Sequence, residues 1–360
     1  MTHTRREAPF VILFIVLLIA VLEAGARLAI SYPPVFRRVA RQSSTAWRLE
    51  WATRHRRLVP SRYAFDAYHP TRGWTLKAGL SSYAMPGGSR LTTNSRGLRS
   101  EVEIPYGHPA QGKRIAVLGD SFTFGEEVSD RETYSFVLDA LLPQDEVLNF
   151  GVHGYGLDQM LLYLREEVLQ YHPDVVLLGY VDEDIYRDLL SFRDYAKPRF
   201  RLLADQSLCL ENVPVPPPEV WLSREIYYPR ALDLLVMAWE ARKWRNGATR
   251  LEAEEISAAL LAEVVRATRA AGALPVVVYL PVEAELTDHS AALNRGERFL
   301  SSVCSREGLR LHSLRADLSR GIDPGDRRAT HGHWPAAIHA RAAALMRDIL
   351  REEEAIETAP

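Results

Sequence analysis

The chain has 360 residues, a length that suits one large domain or two small ones. Apolar residues make up 47% of it, which is enough to build a sizeable core. The formal net charge of −2 gives no general attraction to nucleic acid, so that class of partner is not predicted.

The first predicted element is an apolar helix near the N-terminus. Residues 10–22 carry no charge, and the helical pattern continues through Glu23 and Arg27 to residue 30. Glu23 and Arg27 are four residues apart, so they can offset each other on one helix face near the membrane interface. Because no small-x-small site directly follows the run, an uncleaved membrane anchor in residues 1–32 is preferred to a cleaved signal peptide.

Arginines on both sides of this helix leave its orientation open. The positive-inside count favours a cytoplasmic body, whereas long domains can translocate despite such charges and a first apolar segment commonly acts as an export signal. We predict a single-pass protein with a periplasmic or extracellular body. Residues 35–58 mix arginines with Trp47 and Trp51, which predicts a helix that is either membrane-surface or simply solvated.

Beyond a lead-in segment at residues 33–109, strands and helices alternate. Residues 63–109 are rich in Gly, Pro, Ser and Tyr, which predicts turns and short strands. Continuously apolar strands separated by helices indicate a parallel sheet that is covered on both faces. The prediction is a three-layer α/β/α domain over residues 110–355, with strands at 114–118, 146–150, 174–179, 275–280 and 309–312.

Residues 185–246 interrupt this alternation. They include a proline-rich patch at 212–218 and a tryptophan-containing helix at 232–244, which predicts an insertion beside the sheet, either a lid or a surface for a partner. The two cysteines of the chain, Cys209 and Cys304, fit no metal-ligand spacing. They form one disulfide or remain two free thiols.

Candidate functional residues follow the strands, at the sheet edge where open α/β sheets form their sites. The first strand runs into Gly119-Asp120-Ser121, where Ser121 is either an exposed nucleophile or the cap of the next helix. The second strand runs into a glycine-rich turn at 149–156, whose backbone N–H groups suit an oxyanion. His333 precedes the final helix; it is a base for Ser121, a loop histidine or, with His331, a metal ligand.

Together these three stretches resemble the SGNH (GDSL-type) hydrolase superfamily, in particular its membrane-anchored bacterial members, over about residues 73–350. Gly119-Asp120-Ser121 is similar to the first block, residues 149–154 to the second, and His333 with Trp334-Pro335 to the fifth. The resemblance implies a flavodoxin-like domain with a five-stranded parallel sheet. It also implies that Ser121 is nucleophile and first oxyanion donor, Gly154 second oxyanion donor and His333 catalytic base.

The third block of that superfamily departs from its pattern here. The block supplies an asparagine whose amide donates to the oxyanion, but residues 179–185 contain Asp182 and Glu183 and no asparagine. An ionised carboxylate only accepts hydrogen bonds and repels an oxyanion. Either the donor comes from elsewhere, or one of these acids stays protonated, or the donor is missing.

The fifth block departs as well. The superfamily places an aspartate two or three residues before the histidine, and those positions here are His331 and Thr330. Asp326 is the predicted replacement. Asp323, or a backbone carbonyl that orients the histidine in a Ser-His dyad, is the alternative.

The resemblance implies a serine esterase that acts on O-acyl groups of an envelope glycan or on a lipid ester, through an acyl-enzyme on Ser121. An O-acetyltransferase of the same fold is one alternative, and a non-catalytic envelope scaffold, which the two departures favour, is another. A metal enzyme that uses His331, His333 and Asp326 is the third. No cofactor is predicted, and the predicted partners are the acylated substrate and the membrane.

Overall fold

The computed structural model describes residues 4–40, 43–55, 63–286, 290, 292–320 and 332–357. In chain order its helices are α1 (Thr4–Ser31), α2 (Pro33–Val39), α3 (Ser44–Arg54), α4 (Ser121–Phe124), α5 (Tyr134–Leu141), α6 (Leu157–Glu166), α7 (Pro218–Glu225), α8 (Arg230–Arg245), α9 (Ala248–Ala270), α10 (Glu283–Leu286), α11 (Arg295–Arg306), α12 (Arg315–Ser319) and α13 (Ala336–Glu357). Its strands are β1 (Asp66–His69), β2 (Gly73–Leu76), β3 (Tyr83–Ala84), β4 (Arg90–Leu91), β5 (Arg114–Gly119), β6 (Glu146–Gly151), β7 (Val175–Tyr180), β8 (Arg199–Leu202), β9 (Leu208–Glu211), β10 (Leu274–Tyr279) and β11 (His312–Ser313).

The predicted parallel sheet is confirmed. Within the described ranges it has five strands in the order β11-β10-β7-β5-β6, the strand order of flavodoxin-like domains. The fifth strand starts later than predicted, at His312 instead of residue 309. The reason is that Gly308 has a φ of +66° and the Leu309 N–H donates to the Cys304 carbonyl, so the chain is still closing α11 there.

Helices cover both faces of the sheet because successive side chains of each strand point to opposite sides. On β5, Ile115 and Val117 are buried in the cluster that includes α5 and α13. Ala116 and Leu118 are buried in the opposite cluster, which includes α6 and α9. The predicted three-layer α/β/α architecture follows from this alternation.

The lead-in segment packs against the element that begins with Ser121. Its two hairpins pair β1 with β2 and β3 with β4. Phe65, Met85 and Leu91 are buried in one cluster with Phe124 of α4. The segment therefore supports the short helix that carries the candidate nucleophile.

The insertion at residues 185–246 contains the β8–β9 hairpin followed by α7 and α8. Cys209 lies on β9 and Cys304 lies in α11, and both are free thiols in the structure. The helix predicted at residues 232–244 is present as α8, two residues longer at its start and one at its end.

The N-terminal helix α1 contains a stretch, Pro9–Ser31, that is long and apolar enough to cross a membrane by length and composition. Glu23 pairs with Arg27 at 2.8 Å, as the four-residue spacing suggests. The Glu23 carboxylate also accepts hydrogen bonds from the Arg230 and Ala231 N–H groups, at 3.0 and 2.9 Å, and so caps the N-terminus of α8.

The basic segment after α1 forms two helices, of which α3 is largely buried, and this corrects the expectation of a membrane-surface or solvated helix for α3. The two helices are α2 and α3, and α3 packs into the body. Trp51 is 3% exposed and lies against Phe192 and Tyr195. The Arg48 guanidinium is buried because it pairs with two carboxylates of the insertion, those of Glu225 and Asp233.

Candidate active site

Ser121 stands at the turn between β5 and α4. The helix cap is Asp120, whose Oδ1 accepts a hydrogen bond from the Phe122 N–H at 2.9 Å. Ser121 is therefore not needed as a cap, and its hydroxyl lies within hydrogen-bond distance of Asp120 Oδ2, at 3.2 Å. Gly119 permits the tight turn, because a Cβ there would lie 2.0 Å from the Thr123 hydroxyl.

His333 reaches the same edge of the sheet from the loop that precedes α13. Its Nε2 lies 2.9 Å from Ser121 Oγ, although the two residues are 212 positions apart. The next residue, Trp334, is buried and donates from Nε1 to the Pro281 carbonyl at 2.9 Å. That anchor fixes the backbone from which the imidazole projects.

Gly154 lies in the turn after β6 with a φ of +76°, a region that favours glycine. A Cβ at this position would lie 2.5 Å from Arg193 Nη1 and 2.7 Å from Asp194 Oδ2. In the described part of the chain, neither the Gly154 N–H nor the Ser121 N–H donates to an acceptor. Unpaired N–H groups at buried residues are rare in native proteins.

These groups share a cavity of about 460 Å³. Most of its lining is polar, with carboxylates and two guanidinium groups around the Ser121–His333 pair. The lining residues are Tyr63, Ser121, Phe122, Glu126, His153, Gly154, Val181, Glu183, Arg187, Arg193, Asp194, Val282, Glu283, Ala284, Gly332 and His333.

Two carboxylates that the sequence analysis did not single out flank His333. Glu127 Oε1 lies 3.7 Å from Nδ1 of His333, and Glu126 Oε2 lies 3.7 Å from its Nε2. Glu127 has a φ of +77°, a conformation that non-glycine residues adopt at an energetic cost. Among the described residues, Nδ1 of His333 has no hydrogen-bond partner. The signal available in the sequence was the adjacent pair of glutamates directly after Gly125.

Arg99 holds the loop that carries these glutamates. Its guanidinium is buried, and it donates to the carbonyls of Phe124, Gly125 and Val128 at 2.6, 2.9 and 2.8 Å. Its Nε also donates to Asp130 at 2.9 Å. Arg99 belongs to the lead-in segment, so these contacts give that segment a physical role at the site.

The remaining predicted site residues have separate locations. Glu183 lines the cavity. Asp182 does not: both of its oxygens accept from the Arg250 guanidinium, at 2.7 and 2.8 Å. Asp326, its alternative Asp323, and His331 lie outside the described residues. Among the residues that are described, no group of three or more His, Cys, Asp or Glu side chains could hold a metal ion.

Two arginines from the start of the insertion enter the site, and sequence reasoning missed both. Arg187 donates to Asp120 Oδ2 at 3.0 Å and to the Tyr155 carbonyl at 2.8 Å, and it pairs with Asp184 at 2.5 Å. Arg193 pairs with Asp194. No local pattern marks these arginines as site residues, because their approach to Asp120, Tyr155 and Gly154 arises only in the folded chain.

A second histidine–carboxylate pair supports the cavity wall. His153 Nε2 lies 2.8 and 2.9 Å from the two Asp66 oxygens, and both residues are buried. Burial raises the pKa of Asp66 to about 6, although the His153 imidazole opposes that rise. Burial lowers the pKa of His153, but the Asp66 carboxylate outweighs it, so that the pKa is raised overall.

This pair predicts a pH-dependent contribution to stability. Both folded-state pKa values exceed the ordinary values of 3.8 and 6.5, so the contribution is full below those values and is lost as the pH rises through the folded ones. We expect His153→Gln to lower the melting temperature more at pH 6 than at pH 8.5. Thermal unfolding of the detergent-solubilised full chain at the two pH values measures this.

His339→Gln is the matched control. His339 is also buried, but burial lowers its pKa to about 3, so its contribution is present above the ordinary value of 6.5 and is lost as the pH falls. Its replacement should therefore cost more at pH 8.5 than at pH 6. The same pH trend in both variants would contradict the prediction.

Comparison with known proteins gives distant similarities only. No family model and no curated protein matches the chain. A solved structure of a protein assigned to the G-D-S-L family of lipolytic proteins, from Desulfitobacterium hafniense, is 13% identical with a TM-score of 0.40, covering 66% of this chain and 99% of its own. The acetyl xylan esterase AlAXEase is 14% identical with a TM-score of 0.38, covering 66% of this chain and 98% of its own. An acetyl-xylooligosaccharide esterase from a Geobacillus is 13% identical with a TM-score of 0.39, covering 67% of this chain and 94% of its own.

Proposed function

We propose that this protein is a serine acyl-ester hydrolase, with Ser121 as the nucleophile and His333 as the general base. The observation that carries the proposal is the 2.9 Å separation between Ser121 Oγ and His333 Nε2. A hydroxyl and an imidazole within hydrogen-bond reach, in an open cavity, are the arrangement that nucleophilic catalysis requires.

The proposed reaction begins when Ser121 Oγ attacks the acyl carbon and His333 Nε2 takes the hydroxyl proton. The carbonyl oxygen becomes negative, and the unpaired N–H groups of Ser121 and Gly154 are suited to donate to it. His333 then returns the proton to the leaving alkoxide. The acyl-enzyme passes its acyl group to water, or to a sugar hydroxyl if the enzyme is an O-acetyltransferase.

Glu127 is the described carboxylate best placed to assist His333 at Nδ1. The separation of 3.7 Å is an ion-pair distance rather than a hydrogen bond, and hydrogen bonds in unliganded sites often tighten only when substrate binds. An imidazolium that forms during the reaction would be stabilised by this carboxylate. Asp326 remains the alternative predicted from the sequence.

The polar lining supports a short acyl group on a polar alcohol over a long-chain lipid ester. A lipid acyl chain needs a largely apolar pocket, whereas half of the residues that line this cavity of about 460 Å³ carry carboxylates, guanidinium groups or imidazoles. We therefore favour O-acyl groups of a glycan as substrate. The sequence resemblance supplies the envelope setting, and α1 supports attachment of the protein to a membrane.

A fluorophosphonate probe tests the proposal directly. Ser121 Oγ should attack phosphorus with loss of fluoride, so the detergent-solubilised full chain should become covalently labelled and Ser121→Ala should not. Ser223→Ala, at a serine on α7 outside the cavity, is the control and should label normally. Absence of labelling in folded wild-type protein would refute the hydrolase and favour the non-catalytic scaffold.

A further inference from the structure

Arg193 projects into the catalytic cavity from the start of the insertion. It lies in a tight turn in which its own N–H donates to the Tyr195 carbonyl at 2.9 Å, beside an antiparallel bridge between Phe192 and Ala196. Its side chain is 21% exposed, so the guanidinium is largely enclosed but still reaches the cavity. An arginine in this setting is held in one place instead of moving freely in solvent.

Two neighbouring side chains fix the position of the Arg193 guanidinium. The Asp194 carboxylate pairs with Nη1 of Arg193. The guanidinium carbon lies 5.2 Å from the centroid of the Trp47 ring, within cation–π range. Asp194 in turn lies 4.0 Å from Nδ1 of His153, whose other nitrogen is bound by Asp66. The buried His153–Asp66 pair therefore supports the carboxylate that positions Arg193.

The guanidinium lies beside one of the two proposed oxyanion donors. A Cβ on Gly154 would be only 2.5 Å from Arg193 Nη1, which places this nitrogen in contact with the Gly154 backbone. Asp194 is the only acceptor for the Arg193 side chain among the described residues. A guanidinium group has five N–H donors, so the Arg193 side chain keeps further donors for a ligand.

The charges in the cavity explain why such a donor is needed. Glu183 lines the cavity in the stretch where the superfamily has an asparagine, and a carboxylate there repels negative charge on the substrate. Arg187 is less suited to be the compensating donor, because its charge is already balanced by two carboxylates, those of Asp120 and Asp184, and its Nη1 also donates to the Tyr155 carbonyl. Among the described arginines that line the cavity, Arg193 is the one with a single carboxylate partner.

We propose that the Arg193 guanidinium is the third oxyanion donor of this site and replaces the absent asparagine amide. The inference rests on the proposed hydrolase function. As the bond between Ser121 Oγ and the acyl carbon forms, the carbonyl electron pair moves onto oxygen and the hydroxyl proton moves to His333. The negative oxygen then accepts from the N–H groups of Ser121 and Gly154 and from Arg193. When the oxygen re-forms its double bond, the alkoxide leaves with the proton from His333.

The test compares acylation rates in the detergent-solubilised full chain. Arg193→Gln should slow fluorophosphonate labelling and lower kcat for p-nitrophenyl acetate by about 10²–10³-fold, the usual loss for one oxyanion donor. KM should change by less than about threefold, because the interaction develops only in the transition state. Arg201→Gln, which removes an exposed arginine of the same insertion that pairs with Glu211, should leave both rates unchanged.

A rescue variant separates this role from a purely structural one. Glu183→Asn, added to Arg193→Gln, should restore at least about tenfold of the lost rate, because it removes the repelling carboxylate and supplies an amide donor. If Arg193→Gln lowers the melting temperature strongly, Arg193→Lys takes its place in the same rate comparison. Lysine keeps the positive charge but lacks the planar guanidinium group with its several N–H donors.

The outcomes are distinct. Wild-type protein that labels, with Arg193→Gln labelling as fast as Arg201→Gln, overturns the role of Arg193 and leaves the hydrolase standing. A slow Arg193 variant that Glu183→Asn fails to rescue also overturns it. Folded wild-type protein that does not label at all removes the hydrolase and this inference together.

Discussion

Replacing His333 by alanine is expected to lower kcat for ester hydrolysis by about 10⁶-fold, because the proposed base for the Ser121 proton is lost. Ser121→Ala should cost about as much. Since the two groups act as one unit at a separation of 2.9 Å, the double variant should be no slower than either single variant. Steady-state hydrolysis of p-nitrophenyl acetate by the three variants measures this.

His108→Ala provides the control for that experiment. His108 also contacts a carboxylate, with Nε2 lying 2.7 Å from Asp174, but Asp174 directly precedes β7 and so lies at the opposite end of the sheet from Ser121. This variant should keep wild-type kcat and KM. Additive losses from Ser121→Ala and His333→Ala, or a comparable loss in His108→Ala, would argue against a Ser-His catalytic unit.

Gly151→Ala is expected to have the second largest effect, on stability and activity together. A Cβ at Gly151 would lie 2.1 Å from the Phe124 backbone nitrogen and 2.5 Å from the Thr123 carbonyl carbon. The obstacle is backbone, so α4 must move away from β6 and take Ser121 with it. We expect a loss of about 3 kcal/mol in unfolding free energy, a fall of roughly 10 °C in melting temperature and much slower fluorophosphonate labelling.

Gly107→Ala is the matched control, because a Cβ there meets no atom within 4 Å. It should leave the melting temperature and the labelling rate within error of wild type. If Gly151→Ala is as stable and reactive as Gly107→Ala, the close approach of β6 to α4 does not position the proposed nucleophile, Ser121.

The parallel sheet could be predicted from the sequence because the pattern that specifies each central strand is local. Each central strand is a short apolar run next to a helix of clear period, so the parallel α/β arrangement follows from burial on both faces. The proximity of Ser121 and His333 followed from topology, since both lie past the carboxyl ends of strands. The start of the fifth strand was predicted too early because the turn at Gly308, which ends α11, occupies the residues before His312.

The rest of the site could not be predicted, because its partners meet only in the folded chain. Glu127 approaches His333 from a loop that Arg99 holds in place, and Arg193 reaches Gly154 from the insertion. The burial of Arg48 depends on two acids about 180 positions later, so composition alone suggested a membrane-surface or solvated helix. Whether a charged side chain of this kind is buried depends on its contacts in the folded chain and not on the hydropathy of its segment.

The hydrogen bonds between Glu23 and the first N–H groups of α8 connect the apolar helix α1 to the insertion. The segment that ends in α8 begins with Arg187 and Arg193, so one continuous stretch of chain connects the residues that bind Glu23 to the wall of the cavity. Proteolytic shedding that cuts before Glu23 would leave this brace intact. Shedding after it would expose two backbone donors and loosen the stretch, so the position of a single cleavage separates a competent released form from a weakened one.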